Sequence, residues 1–334
     1  MRDDVTQQEG GADEASGGQL AGRAATEEML IRAITALGKY QIIEKLARRP
    51  HYHRPDGTNT KVALLVDVET TGTEESDRII QLAVVPFQFC PETGRIFAVG
   101  DCESWYEDPG VPIPPEITQL TGITDADVAG RSIDEERLLA HIGRAVLVIA
   151  HNARFDRAKL EARVPAFVDK WWACSCDDVP WIAEGLQSAK LEWLAYKLCR
   201  MYYEAHRADA DCLMAVHLLA TTLPSGALAM AELLKVARRK TARVWALRSD
   251  LSTKDRLRRR GYRWQGDNDG RPRAWWRDVP EAQLRAEAAW LAEHVYGGPA
   301  RHVVQTFDGR HRYSPRVADL AYIEWAHHPR NGDT

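Results

Sequence analysis

Val62-Ala-Leu-Leu-Val-Asp-Val-Glu-Thr-Thr-Gly72 is an unbroken apolar run that ends in two carboxylates and a turn. Val62–Val66 reads as a buried central strand. Asp67 and Glu69 close it two residues apart, so in an extended chain both point to one face. Side-by-side like charges raise each other's pKa unless a cation neutralises them. Hard oxygen donors with no cysteine or histidine nearby favour Mg²⁺ or Mn²⁺ over Zn²⁺. Thr70, Thr71 and Gly72 then turn the chain, and the glycine lets backbone approach a substrate closely.

Two further segments repeat the theme. Val146-Leu-Val-Ile-Ala150 is a second buried strand, followed by His151-Asn-Ala-Arg-Phe-Asp156. A turn at His151-Asn152 leads into a helix from about Ala153, which sets Asp156 one turn in, beside the strand end. Asn152 is expected to stabilise the turn and cap the helix. Phe155 is expected to pack under the site, and His151 to be a satisfied histidine at a strand end. The third segment, His206-Arg-Ala-Asp-Ala-Asp211, opens a helix over Ala208 to Thr221. His206 lies at or just before its start, where it reaches solvent and can take a proton from water. Four carboxylates and one histidine so placed can hold two divalent ions and supply a base for cutting a phosphodiester bond.

In this order and at these positions the three segments resemble the DEDDh 3′–5′ exonuclease family. Its members include the proofreading epsilon subunit of bacterial DNA polymerase III and ribonuclease T. Asp67 and Glu69 match the first motif, and Asp156 the second carboxylate motif. Thr121-Gly122-Ile123 matches a Thr-Gly-Ile stretch between them, and His206 and Asp211 match the last motif. Where the tyrosine subtype carries its tyrosine, four residues before the final aspartate, this chain has Arg207, so the histidine subtype fits better. The resemblance covers residues 61 to about 223. It implies an RNase H-like α/β fold, a mixed central sheet with helices on both faces.

The resemblance also implies roles. Asp67, Glu69 and Asp211 would hold a first Mg²⁺ (or Mn²⁺), and Asp67 would bridge to a second held by Asp156. His206 would deprotonate the attacking water. Thr70, Thr71, Gly72 and Ile123 would hold the terminal nucleotide, with Ile123 as a wedge beside the last base. Asn152 joins this substrate-binding set.

The composition frames these motifs. With 334 residues, 45% of them hydrophobic, the chain can bury two modest cores. No window of 18 apolar residues occurs, which excludes a helical membrane span. Residues 1–22 are rich in Gly, Asp, Glu and Gln with no apolar signal region, and read as a disordered tail. Cysteines 90, 102, 174, 176, 199 and 212 are scattered and read as reduced thiols, which places the protein in the cytoplasm.

Residues 23–60 read as an N-terminal helix and linker. The helix spans 26–48, with Leu30, Ile31, Ile34, Leu37, Ile42, Ile43 and Leu46 packing on the catalytic domain. Residues 61–223 are the exonuclease domain. It opens with an antiparallel trio, Val62–Val68, Ile79–Phe87 and Arg95–Tyr106. Helices are expected near 116–120, 132–142, 153–163, 178–185 and 191–199, with Trp171, Trp172, Trp181 and Trp193 as packing residues.

Pro224-Ser-Gly226 ends the catalytic helix, and 224–240 is a connecting helix. Residues 241–318 then read as a small βαββα-type module, with a hairpin across Gly266–Gly270 and a further strand at Val303–Thr306. Residues 319–334 read as a tail. Residues 235–285 hold 16 Lys+Arg and 6 Asp+Glu, a net of +10 in a chain of net −4. Arginines interleave there with Tyr262, Trp264, Trp275 and Trp276. Arg256, Arg258, Arg259, Arg260 and Arg263 are assigned to nucleic-acid phosphates, with most tryptophans turned inward.

The expected function is metal-dependent 3′–5′ exonuclease action on single-stranded or frayed 3′ ends, in DNA repair or end processing. DNA is favoured over RNA as partner, and no membrane is involved. RNA trimming stays open, because discrimination rests on 2′-OH contacts that a sequence does not display. A non-catalytic nucleic-acid-binding or replicase-associated protein is the alternative from another class. No sliding-clamp peptide is found, and the C-terminal unit is unlike the short tail of the epsilon subunit.

Overall fold

The computed structural model describes residues 25–267 and 270–324. The tail expected at 1–22, and residues 325–334 of the one expected at the C-terminus, lie outside them. Helix α1 (25–36) has nearly all its side chains exposed, Met29, Leu30 and Ile34 included. The helix expected over 26–48 and packed on the catalytic domain is therefore shorter and unpacked. Gly38 ends it with φ at +65°, a conformation only glycine adopts cheaply. Backbone pairing then claims the next segment: β1 (Glu44–Lys45) runs parallel to Met201–Tyr202.

The main sheet is built on β2 (Lys61–Thr70). Leu64, Val66 and Val68 enter one core layer, Ala63 and Leu65 the other, the period-two pattern of a strand buried on both faces. β3 (Ile79–Phe89) pairs antiparallel with β2. β4 (Ile96–Val99) and β5 (Glu103–Tyr106) both pair antiparallel with β3. The single strand expected over Arg95–Tyr106 is thus two. Gly100 divides it: its N–H donates to Pro86 O at 2.8 Å, so close that a Cβ would lie 2.8 Å from the proline ring.

Helices α2 (Pro115–Thr121), α3 (Asp125–Val128) and α4 (Glu135–Arg144) lead to β6 (Leu147–Ala150), which is parallel to β2. Helix α5 (Ala153–Arg163) follows, and then β7 (Trp172–Cys174), parallel to β6, where only packing tryptophans were expected. Turns replace the helix expected near 178–185, since Pro180 lacks the N–H a helix needs and Trp181 N–H bonds to Val179 O. Then come α6 (Leu191–Leu194), β8 (Met201–Tyr202), α7 (Ala208–Leu219) and α8 (Ala229–Arg238). Residues of α7 and α8 cover one face of the sheet, and Leu138, Ile142 and Leu160 of α4 and α5 cover the other. This is the mixed α/β, RNase H-like arrangement.

The C-terminal unit is a five-stranded antiparallel sheet of order β10-β11-β9-β12-β13. Its elements run β9 (Thr241–Ala246), α9 (Lys254–Arg260), β10 (Arg263–Trp264), β11 (Trp275–Pro280), α10 (Leu284–Leu291), β12 (His302–Phe307) and β13 (Ile323–Glu324). Its core joins Ala242, Val244, Leu257, Trp275, Leu284 and Leu291. The loop at 308–316, between β12 and β13, leaves this unit and enters the nuclease domain. Tyr313 joins the core under β2 and β6, its O–H donates to Asp178, and Gly309 O accepts from Trp172 N–H at 2.9 Å.

Candidate active site

Three elements converge at the end of β2. Asp67 and Glu69 leave that strand on one face, and α7, packed across β2 and β3, brings Asp211 to them. Each of the three offers an oxygen within 4.8 Å of the others. The ladder between β2 and β3 shifts register between Glu69 and Thr70, an irregularity of the kind that re-aims side chains beside active sites. Asp156 comes from the first turn of α5 and is only 2% exposed. Its Oδ1 accepts from Val68 N–H at 3.1 Å, the amide that lies between Asp67 and Glu69.

Asp211 is oriented from two sides. Tyr203 O–H donates to its Oδ1 at 2.9 Å, and Arg207 N–H to its Oδ2 at 3.0 Å. The start of α7 is fixed by buried Gln81 of β3, whose Oε1 accepts from Ala208 N–H at 3.3 Å. His206 is exposed at the rim and takes φ of +61°, a left-handed backbone unusual outside glycine.

Burial sets the electrostatics and crowding adds to it. Burial, with the charges of Asp156, Asp211 and Glu69, holds Asp67 well above the usual carboxylate range. Burial, then Asp211 and Asp156, pushes Glu69 up to about 8. Burial raises Asp156 to about 7 against the opposing pull of the Val68 amide, and it raises Asp211 despite the Tyr203 and Arg207 donors. Among the described residues, no lysine or arginine side chain forms an ion pair with any of the four. A half-buried, all-oxygen carboxylate cluster with no lysine or arginine paired to it fits hard divalent cations.

The turn after β2 is self-built. Thr70 O–H donates to Gly72 O, and Thr71 O–H to Asp77 Oδ1 at 2.9 Å. Buried Lys159 of α5 donates from Nζ to the main-chain oxygens of Glu74, Glu75 and Asp77. The turn itself needs Gly72: a Cβ there would lie 2.5 Å from Asp77 Oδ2.

One substrate-binding expectation, for Ile123, and the capping expectation for Asn152 are corrected. Ile123 is 3% exposed and packs with Ile80, Ile113 and Val128, so its side chain is core and not a wedge offered to a base. Asn152 occupies the N-cap position of α5, yet its side chain makes no capping bond. His151 is satisfied at both ring nitrogens, by Ser175 Oγ at 2.9 Å and Ala189 O at 2.8 Å, and burial pushes its pKa down to about 4. Tyr203, Gln81 and Lys159 escaped the sequence reading. Only Lys159 left a trace there, one helical turn after Asp156.

The five arginines of the C-terminal unit divide. Arg260 pairs at 3.0 Å with Glu287, a 3%-exposed carboxylate that also accepts from Arg277 at 3.1 Å and Tyr262 at 3.0 Å. Arg256 donates to His294 O. Both therefore serve the unit's own packing. Arg258 lies over Trp275 at 5.8 Å and Arg263 over Trp276 at 5.7 Å, both exposed, and Arg259 is exposed on α9.

Fold and carboxylate geometry together define an RNase H-like exonuclease domain of the DEDD type. Residues 64–219 match the family model described as Exonuclease (RNase T). Among curated proteins, the chain is 33% identical over 155 residues to a PolC-type DNA polymerase III of Clostridium perfringens, covering 44% of this chain and 10% of that one. It is 41% identical over 97 residues to the PolC-type enzyme of Halalkalibacterium halodurans, covering 28% of this chain and 6% of that one. The chain thus spans a tenth or less of these relatives' length. Among solved structures, Escherichia coli exonuclease I bound to single-stranded DNA is 18% identical at TM-score 0.43, covering 66% of this chain and 63% of that one. Exonuclease X with 5′-overhanging duplex DNA is 22% identical at TM-score 0.35, covering 50% of this chain and 99% of that one.

Proposed function

We propose that the protein is a divalent-metal-dependent 3′–5′ exonuclease that removes mononucleotides from DNA ends, in repair or end processing within the cytoplasm. The observation that carries this reading is the cluster itself: Asp67, Glu69 and Asp211 converge within 4.8 Å, with buried Asp156 behind them and exposed His206 at the rim. In this reading Asp67, Glu69, Asp211 and Asp156 hold two Mg²⁺ or Mn²⁺ ions. Bound there, such ions supply Lewis acidity and neutralise charge on the scissile phosphate.

The side chains divide the remaining work. The Val68 amide fixes the Asp156 carboxylate, and Tyr203 with the Arg207 amide fixes that of Asp211. His206 accepts the proton of the attacking water as the new P–O bond forms and the P–O3′ bond breaks. The Thr70–Gly72 turn, locked by Asp77 and Lys159, walls the place of the terminal nucleotide. That the matched PolC-type relatives are DNA polymerases supports DNA over RNA.

Matched single-stranded DNA and RNA oligonucleotides, each blocked at the 3′ or the 5′ end, test the reading. A 3′ block should stop degradation and a 5′ block should not, with DNA degraded faster. Internal fragments released from a circular strand, or full turnover in excess chelator, would overturn it. Faster RNA degradation would reassign the substrate.

A further inference from the structure

Trp264 lies on β10, the edge strand of the C-terminal sheet, with 53% of its surface in solvent. The indole is nevertheless held in place. It packs against Trp275 at 5.6 Å between ring centroids, and its Nε1 edge lies where Gly266 alone fits, a Cβ there falling 2.8 Å away. A large apolar ring that is exposed yet braced from two sides has a face to offer and little conformational freedom left to lose.

Its surroundings say what that face suits. Arg258 lies over the Trp275 ring that backs Trp264, and Arg259 is exposed on α9, whereas Arg263, the strand neighbour of Trp264, turns to the opposite face and lies over Trp276. Among the described residues, neither Arg258 nor Arg259 forms an ion pair, whereas Arg260 and Arg277 nearby are neutralised by Glu287. Unneutralised guanidinium groups around a fixed, exposed indole combine phosphate attraction with base stacking.

We propose that Trp264 is a stacking platform for an unpaired base, and that Arg258 and Arg259 hold the flanking phosphates of a single strand. A duplex keeps its base faces stacked on one another and has none to lay on the indole. The platform rests on the nuclease reading and extends it: it makes the C-terminal unit a second grip on the strand whose end is in the carboxylate site.

The test is binding of a 3′-blocked, fluorescein-labelled dT30 by anisotropy in EDTA, with turnover of an unlabelled dT4 measured separately in Mg²⁺. Trp264→Ala should weaken dT30 binding about 5- to 150-fold and leave kcat on dT4 and the thermal midpoint unchanged. Trp264→Phe should keep most of the affinity. Arg258→Gln should lower the salt slope of log K by about 0.7, which Trp264→Ala should not do. Wild-type affinity in Trp264→Ala, or an equal loss on a blunt 30-base-pair duplex, would overturn the platform alone. Failure of the wild-type protein to bind dT30 would overturn the nucleic-acid reading beneath it.

Discussion

The guanidinium of Arg157 donates to the main-chain oxygen of Arg312 at 2.7 Å, joining the helix that carries Asp156 to the loop between β12 and β13. The same buried group donates to Glu161 at 2.7 Å, to Gly309 O at 3.2 Å, and to the oxygens of Arg310 and Val168. Glu161 in turn accepts from Ser314 at 2.6 Å and Arg316 at 3.1 Å. A guanidinium has five N–H groups, and here every one is engaged. The C-terminal unit is therefore a fixed part of the catalytic helix's surroundings as well as a basic surface.

Arg157→Met should cost about 3–5 kcal/mol, because it removes a buried ion-pair partner of Glu161 and leaves Arg312 O without its donor. Lysine cannot reach all of these partners, so Arg157→Lys should recover only part of the loss. Urea unfolding checks this, and a wild-type midpoint in the methionine variant would refute it.

Asp67→Ala and Asp211→Ala should each abolish turnover while keeping the fold. In chelator at pH 8 their thermal midpoints should match or exceed wild type, since each removes one of several crowded, half-buried carboxylates. A midpoint well below wild type would mean that these carboxylates stabilise the protein even without cations.

Cation-free stability should fall with pH. Glu69 near 8 and Asp156 near 7 keep protons that the unfolded chain releases near pH 4. Their contribution is full below about pH 4 and is lost as pH rises through about 7 to 8. Mn²⁺ should restore it, so the rise in Tm on adding Mn²⁺ should be larger at pH 8 than at pH 5. Equal rises at the two values would count against the cluster as the binding site.

Tyr203→Phe removes a single oxygen and with it the 2.9 Å bond to Asp211. Donors to ligating carboxylates are typically worth about 10–100-fold in metal affinity or activity. Titration with Mn²⁺ followed by electron paramagnetic resonance should show a loss of that order. Unchanged affinity would leave Arg207 N–H as the sole orienting group that matters.

His206→Ala should lower kcat by about 10²–10⁴-fold and alter KM little, as expected for a residue assigned to proton transfer. Wild-type kcat would move the base to another group. His151 is a poor substitute, being satisfied at both ring nitrogens.

What sequence could reveal here was local. The run into Asp67 and Glu69, the helix start at Ala153 and the pairing of β2 with β3 follow from patterns a few residues long, and the structure has them. Gln81 and Arg157 act across long separations, through bonds to Ala208 and the 308–316 loop, and Tyr203 reaches Asp211 from outside helix α7, so no short pattern announces such partners. The exposed face of α1 shows the opposite limit. Its apolar spacing is helical, but periodicity alone does not say whether a neighbour covers that face. Ile123 was misassigned because motif matching locates a residue without saying which way its side chain points.

Tyr313 has a consequence for synthesis. It sits in the core layer formed by β2, β6 and α5, although it follows Leu219, the last residue of α7, by most of a domain. A nascent chain released only through α7 thus lacks part of its interior and the acceptors for Arg157. At about 5–20 residues per second, the interval from Leu219 to Arg316 lasts roughly 5–20 s. Over that interval Arg157, on the helix that bears Asp156, lacks its acceptors at residues 309, 310 and 312, so the helix gains its full set of bonds only once the 308–316 loop has been made.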